Sequence, residues 1–243
     1  LWHNSWEVYL GKFISSDRDG IFLYDRNVGE GRLVEFSSKL TLEHFQFLHD
    51  LGGNWQVHTG DFSGQGRAQI LLYSTSTGDA QILLLKKDLT VDRQINFFDW
   101  GAGQVLYVGH FGLPTLSIML YNPQESQSTF MAFDESLNVS HRYTAQSWGQ
   151  SEQILVGAFL NRAQCLGELT CATGDDILVL NRTTGYIQQY IFSFGNQFGV
   201  FDNRAQGLIR EGIAVSKNVL PVDATLFSLF TLMGTSIHNE ELY

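Results

Sequence analysis

The sequence repeats with a period of about 48 residues, and this period restricts the possible folds more than any other feature. A strand-like segment ending in Gly-x-Phe occurs four times, with its glycines 49, 49 and 48 residues apart, at Gly11, Gly60, Gly109 and Gly157. An Ile-x-Leu-Tyr-like segment follows each of them, and its last apolar residue is Tyr24, Tyr73, Tyr121 or Leu180. A third marker follows at Lys39-Leu40-Thr, Asp88-Leu89-Thr and Ser136-Leu137-Asn, so each unit is a complete module.

Each unit contains four strand-length segments separated by turn residues. In the first unit the third and fourth segments are Arg32–Phe36 and Thr41–Phe47, and in the second they are Ala80–Leu85 and Val91–Phe98. The 24 glycines and the low charged fraction of 16% suit a turn-rich all-β chain. Four short strands in about 48 residues are typical of one β-propeller blade. Helical repeats would need an apolar spacing of about 3.6 residues, which is missing.

The sequence therefore predicts an all-β chain whose first 205 residues form four propeller blades, at about 6–54, 55–103, 104–152 and 153–205. The fourth unit carries an insertion of about ten residues that contains both cysteines. Residues 206–243 are predicted to form a divergent closing segment and an apolar C-terminal tail. A fifth, divergent blade in this region and self-association through the tail are both left open by the sequence.

The second unit resembles a known repeat family in the segment Gly60-Asp61-Phe62-Ser-Gly64-Gln-Gly66-Arg-Ala-Gln69-Ile-Leu-Leu-Tyr73. It is similar to the FG-GAP or VCBS-type repeat, and in weaker form the likeness extends over about residues 1–200. This resemblance implies a β-propeller, and it also implies recognition functions such as those of the secreted propeller lectins in the same family.

The resemblance also implies a calcium loop, but most of its oxygen ligands are missing here. The second unit keeps Asp61 and has Ser63, Gln65 and Gln69 where carboxylates are expected. The first ligand position in the other units holds Lys12, His110 and Ala158. We therefore expect no metal site and no cofactor.

Tryptophans recur at the joins between units, where clefts between blades would lie. Sugars stack their apolar faces on such rings, and short polar side chains beside them can bind hydroxyl groups. The candidate carbohydrate-binding residues are Trp6, Trp55, Trp100, Trp148, Asn54, Gln56 and His58. Packing of blade against blade is the competing interpretation of the tryptophans and of the repeated tyrosines.

Charge and composition exclude some partners and suggest a compartment. Fifteen basic against 25 acidic residues give a net charge of −10, which disfavours nucleic acid and anionic membranes. No apolar stretch is long enough to insert into a membrane, and with Leu1 at the start we expect any signal peptide to be absent already. A candidate disulfide between Cys165 and Cys171, and candidate glycosylation sites at Asn138 and Asn181 in a eukaryotic host, favour a secreted protein.

No catalytic constellation emerges from the sequence, and we predict no enzymatic activity. A glycosidase needs two facing carboxylates, whereas the equivalent positions here are Lys12, Asp61, His110 and Ala158. The leading hypothesis is a secreted, non-catalytic, carbohydrate-binding module. A structural or protein-interaction propeller is the alternative, and a secreted hydrolase using Asp61 and His110 is a remote one.

Overall fold

The computed structural model describes residues 5–15, 17–111, 113, 115–146, 148–157, 175–183 and 187–190. These residues form antiparallel sheets and no helix, so the described part has no helix that could cross a membrane. Sheet 1 consists of β1 (Trp6–Gly11), β2 (Gly20–Asp25), β3 (Glu30–Phe36) and β4 (Leu42–Leu48). Sheet 2 consists of β5 (Gln56–Gly60), β6 (Gln69–Tyr73), β7 (Ala80–Leu85) and β8 (Val91–Phe97).

The third and fourth sheets continue the same order. Sheet 3 consists of β9 (Val105–Gly109), β10 (Ser117–Asn122), β11 (Gln127–Phe133) and β12 (Val139–Gln146). Sheet 4 consists of β13 (Glu152–Gly157), β14 (Asp176–Asn181) and β15 (Ile187–Tyr190). Within every sheet, consecutive strands pair with each other in antiparallel order. The all-β prediction is confirmed, but the described sheets do not close on one another, and the propeller arrangement stays a prediction.

The second strand of a sheet is buried on both faces because successive sheets pack against each other. In β6, Ile70 and Leu72 contact the side chains of sheet 1, whereas Leu71 and Tyr73 contact those of sheet 3. All four side chains are fully buried. Alternate residues of a strand point to opposite faces, so a strand enclosed on both sides is a continuous apolar run. The Ile-x-Leu-Tyr segments are therefore the central layers of the core.

The hairpin between the third and fourth strands contains a leucine in the left-handed region, where side chains are disfavoured. Leu40, Leu89 and Leu137 have φ angles of 59°, 68° and 66°. Leu89 and Leu137 are 1% and 0% exposed, and each packs into the cluster shared with the preceding sheet. Leu40, in the first sheet, is 83% exposed. Burial of the side chain thus offsets the backbone strain in sheets 2 and 3.

The repeated tyrosines fix the joins between units. The Tyr24 hydroxyl donates to the Gly52 carbonyl at 2.7 Å, and the Tyr73 hydroxyl donates to the Gly101 carbonyl at 2.5 Å. Tyr121 donates in the same way to the Gly149 carbonyl. Each ring is buried and its polar tip has a partner, which is how a tyrosine is accommodated in a core. These contacts support the packing interpretation of the tyrosines.

Candidate ligand cleft

The four candidate tryptophans lie at different joins, and the structure does not bring them together. Trp100 is only 5% exposed, and its ring packs among the aromatic side chains between sheets 2 and 3. Trp55 packs on the core between sheets 1 and 2 and donates its indole N–H to the Leu51 carbonyl at 2.6 Å. Trp148 packs against Tyr121, with 6.1 Å between ring centroids. Stacking of a sugar on Trp100 would require displacing this packing.

Trp6 has a different environment, on the outer face of sheet 1, which is the face that points away from sheet 2. The Arg32 guanidinium carbon lies 4.4 Å from the centroid of the Trp6 ring and 5.5 Å from that of Phe47. A cation at this distance is attracted by the electron-rich face of the ring. Arg32 thus covers part of the face that a sugar would use.

Two of the three polar candidates, Gln56 and His58, contact each other through their side chains. The Gln56 amide donates to the Leu106 carbonyl at 2.8 Å and lies 3.1 Å from the His58 ring. Burial lowers the pKa of the His58 imidazole from 6.5 to about 4. Asn54 is exposed in the left-handed region, with φ at 63°, and its backbone N–H donates to the Arg26 carbonyl. Gln56 therefore joins sheets 2 and 3, and His58 lies beside it on the same strand.

The predicted covalent modification sites are described only in part. Cys165 and Cys171 lie outside the described residues, and their disulfide stays a prediction. Asn138 is exposed, and its side-chain amide donates to the Asp134 carboxylate at 3.1 Å. The Asn181 amide donates to Glu152 at 3.0 Å. In both asparagines the side-chain nitrogen thus donates to an acidic side chain.

The loop that resembles a calcium site is held by hydrogen bonds within the protein. The Asp61 carboxylate accepts from the backbone N–H groups of Gln65 and Gly66 at 3.0 and 2.6 Å, and from the Ser63 hydroxyl at 3.2 Å. The buried Gln69 amide accepts from the N–H groups of Phe62 and Ser63. Polar side chains thus occupy the centre of this loop, where oxygen ligands would otherwise converge on a cation.

Candidate acid–base groups are also few. His110 contacts Asp175, whose carboxylate accepts from the His110 backbone N–H at 2.8 Å and lies 3.2 Å from its ring nitrogen. The Asp61 carboxylate accepts hydrogen bonds from the backbone N–H groups of its own loop. Among the described residues no three His, Cys, Asp or Glu side chains cluster as metal ligands would. The hydrolase alternative gains no support from these contacts.

A half-open cleft with a volume of about 370 Å³ lies between the outer strands of sheets 1 and 2. This volume is within the range of small-molecule sites. The cleft is lined by Gln46, Phe47, Leu48, His49, Asp50, Leu51, Gln81, Leu83, Thr90, Val91 and Gln94. None of these residues belongs to the predicted set, although the position between two units is the predicted one.

The lining combines an apolar base with a rim of carboxamides. Leu48, Leu51 and Leu83 are buried and belong to the core shared by the two sheets. The Gln94 amide donates to Asn96 at 2.8 Å, which leaves one of its two N–H groups for a ligand. The Gln81 side chain makes no hydrogen bond within the described part of the chain. A carboxamide both donates and accepts hydrogen bonds, so this rim can bind a hydroxyl group that acts either as donor or as acceptor.

Exposed rings extend from the cleft along β4. The Phe47 and His49 rings stack, with centroids 5.7 Å apart and planes at 16°. Phe45 meets Phe47 edge to face at 4.7 Å. Both phenylalanines are more than 40% exposed, which is unusual for rings of this size. The Phe45 and Phe47 rings form an apolar patch on the face of sheet 1 that points away from sheet 2, whereas Gln46 and Leu48 point into the cleft.

Sequence reasoning missed this cleft because it searched for aromatic residues at the joins. The signal was present in the repeat itself, since Leu51 stands where the next units have Trp100 and Trp148. A smaller residue at a join leaves space that a tryptophan would fill.

The chain was compared with protein-family models and with curated proteins. No protein-family model matches it, and no curated protein matches it. The similarity to FG-GAP and VCBS-type repeats therefore rests on the residues of the repeat alone.

Proposed function

We propose that this protein is a non-catalytic recognition module that binds neutral carbohydrate in the cleft between sheets 1 and 2. The observation that carries the proposal is the cleft itself, with buried leucines at its base and the amides of Gln46, Gln81 and Gln94 at its rim. A sugar presents apolar C–H faces beside hydroxyl groups that donate and accept. The cleft offers partners for both kinds of group.

The charges around the cleft favour an uncharged ligand. Asp50 is the acidic group of the lining, and the chain carries a net charge of −10. An anionic sugar would be repelled by both. Asp61, the carboxylate kept from the family loop, already accepts three hydrogen bonds from its own loop, so we expect binding that does not need calcium.

The proposal includes a propeller arrangement of the sheets in which another sheet of the same repeat lies on the outer face of sheet 1. Support comes from equivalent positions along the chain. Val57 is 4% exposed beneath sheet 1, whereas the equivalent Val8 is 57% exposed. The exposed Leu40 likewise corresponds to the buried Leu89 and Leu137. Sheet 1 thus presents to solvent the face that sheets 2 and 3 bury.

A protein-interaction module is the second candidate function, favoured by the exposed Phe45 and Phe47 on that same outer face. Exposed apolar patches of this kind mark protein interfaces. In this case the protein would associate through sheet 1 and would bind no sugar. The secreted location proposed for both functions rests on the two sequons and on the candidate disulfide between Cys165 and Cys171.

A glycan array probed with the purified chain, with calcium and then with a chelator, tests the leading proposal. We expect binding to neutral glycans that survives chelation. Gln81→Ala should abolish it, because this variant removes a rim amide that makes no hydrogen bond within the described residues. Gln150→Ala, on an exposed amide that bonds to Gln124, is the matched control. A blank array together with concentration-dependent sedimentation would favour the interaction module instead.

A further inference from the structure

The same intersheet position is open in one part of the chain and filled in another. Between sheets 2 and 3, the rings of Phe97, Trp100 and Phe133 pack with centroids 5.0 to 6.2 Å apart. The repeat places Leu48 and Leu51 of sheet 1 at the positions of Phe97 and Trp100. Two aromatic rings of one join are therefore two leucines in the other.

The backbone at these joins is alike, so the difference lies in the side chains. The Leu51 carbonyl accepts from the Trp55 indole at 2.6 Å, and the Trp100 carbonyl accepts from the equivalent Gln104 amide at 3.0 Å. Residue 51 thus has the same place in its unit as residue 100. Trp148 has that place in the third unit, and its ring packs into the cluster between sheets 3 and 4.

We propose that the residue at this position determines whether an intersheet cleft is open, and that Leu51 makes the cleft between sheets 1 and 2 the ligand site. The larger Trp100 and Trp148 rings close the corresponding spaces. The inference rests on the proposed function, and it gives the ligand class as a neutral mono- or disaccharide bound at one site in the described part of the chain. The repetition of the sheets therefore does not create a ligand site at every join in the described part of the chain.

Cysteine alkylation tests the open and closed states without any ligand. Gln81 lies in the cleft, and Thr129 is its equivalent in sheet 3, where it is only 7% exposed. Close-packed interiors exclude a reagent larger than water, so we expect Gln81→Cys to react at least about tenfold faster than Thr129→Cys. Peptide mass spectrometry measures each site separately from the native cysteines.

Exchanging the residue types at positions 51 and 100 should close the cleft between sheets 1 and 2 and open the space between sheets 2 and 3. Leu51→Trp should slow the alkylation of Cys introduced at position 81 to the rate at position 129, and Trp100→Leu should speed the alkylation at position 129. Equal rates at the two positions in the otherwise unchanged chain would overturn the proposal. If Leu51→Trp does not fold, the comparison of the two positions and the Trp100→Leu chain decide the outcome.

Ligand binding is read separately, by saturation-transfer NMR with glucose, galactose, mannose and N-acetylglucosamine. We expect the signals of the wild-type chain to disappear in Leu51→Trp. If no sugar binds the wild-type chain while the alkylation pattern holds, the proposed function fails and the control of the cleft by residue 51 stands. If sugars bind equally to Leu51→Trp, the site lies elsewhere and the inference is wrong.

Discussion

Replacing His58 should change how the stability of this protein depends on pH. The imidazole is partly buried on β5, and this burial lowers its pKa from 6.5 to about 4. The unfolded chain therefore takes up a proton in this pH range while the folded chain does not, and the free energy of unfolding falls as the pH decreases from 6.5 to about 4. At 1.36 kcal/mol for each pH unit, the full effect is about 3 kcal/mol, of which about 2 kcal/mol is lost between pH 7 and pH 5.

The repeat supplies the replacement, because Tyr9 and Tyr107 occupy the equivalent positions in sheets 1 and 3. Urea unfolding of the wild-type chain and of His58→Tyr at pH 7 and pH 5 measures the effect. We expect the loss on acidification to be about 2 kcal/mol smaller in the variant, since other titrating groups are common to both chains. His141→Gln, a histidine on the outer strand of sheet 3, is the control. An equal loss in wild type and His58→Tyr would refute the reasoning.

Three further predictions concern the loops and turns. Asp61→Ala leaves the N–H groups of its loop without their acceptor and should lower the free energy of unfolding by about 1–3 kcal/mol in urea; no change would contradict this role. Gly29→Ala should cost at least about 2 kcal/mol, because φ is +72° and a Cβ atom would lie 2.4 Å from the Gly52 carbonyl carbon. Gly103→Ala has the same φ with open space around it and should cost less. A chelator should leave the thermal midpoint unchanged, and a fall would reveal a bound cation.

The strands were predictable from the sequence because their signals are local. Alternating or continuous apolar runs and turn residues define Gln69–Tyr73 and Ala80–Leu85, and both ranges are strands in the structure. The left-handed leucines were visible only as a repeated marker at Leu40, Leu89 and Leu137. Their φ angles depend on a hairpin geometry that residue types alone did not suggest.

The candidate site was less predictable because it depends on which faces meet. Trp100 was a candidate for sugar stacking, yet its ring faces sheet 3 and is buried there. The cleft arises where Leu51 leaves space, and a missing ring gives no motif to search for. The polar rim comes from Gln46 and Gln94 on outer strands of two different sheets, which only the packing brings together.

The most direct test of the proposed carbohydrate site is NMR observation of glutamine side-chain amides during titration with a neutral glycan from the array. We predict saturable shifts of the Gln46, Gln81 and Gln94 amides, because these line the cleft. The Gln150 amide, bonded to Gln124 elsewhere, should not move. Binding that leaves the three cleft amides unchanged, or no binding by any neutral glycan, would contradict the account.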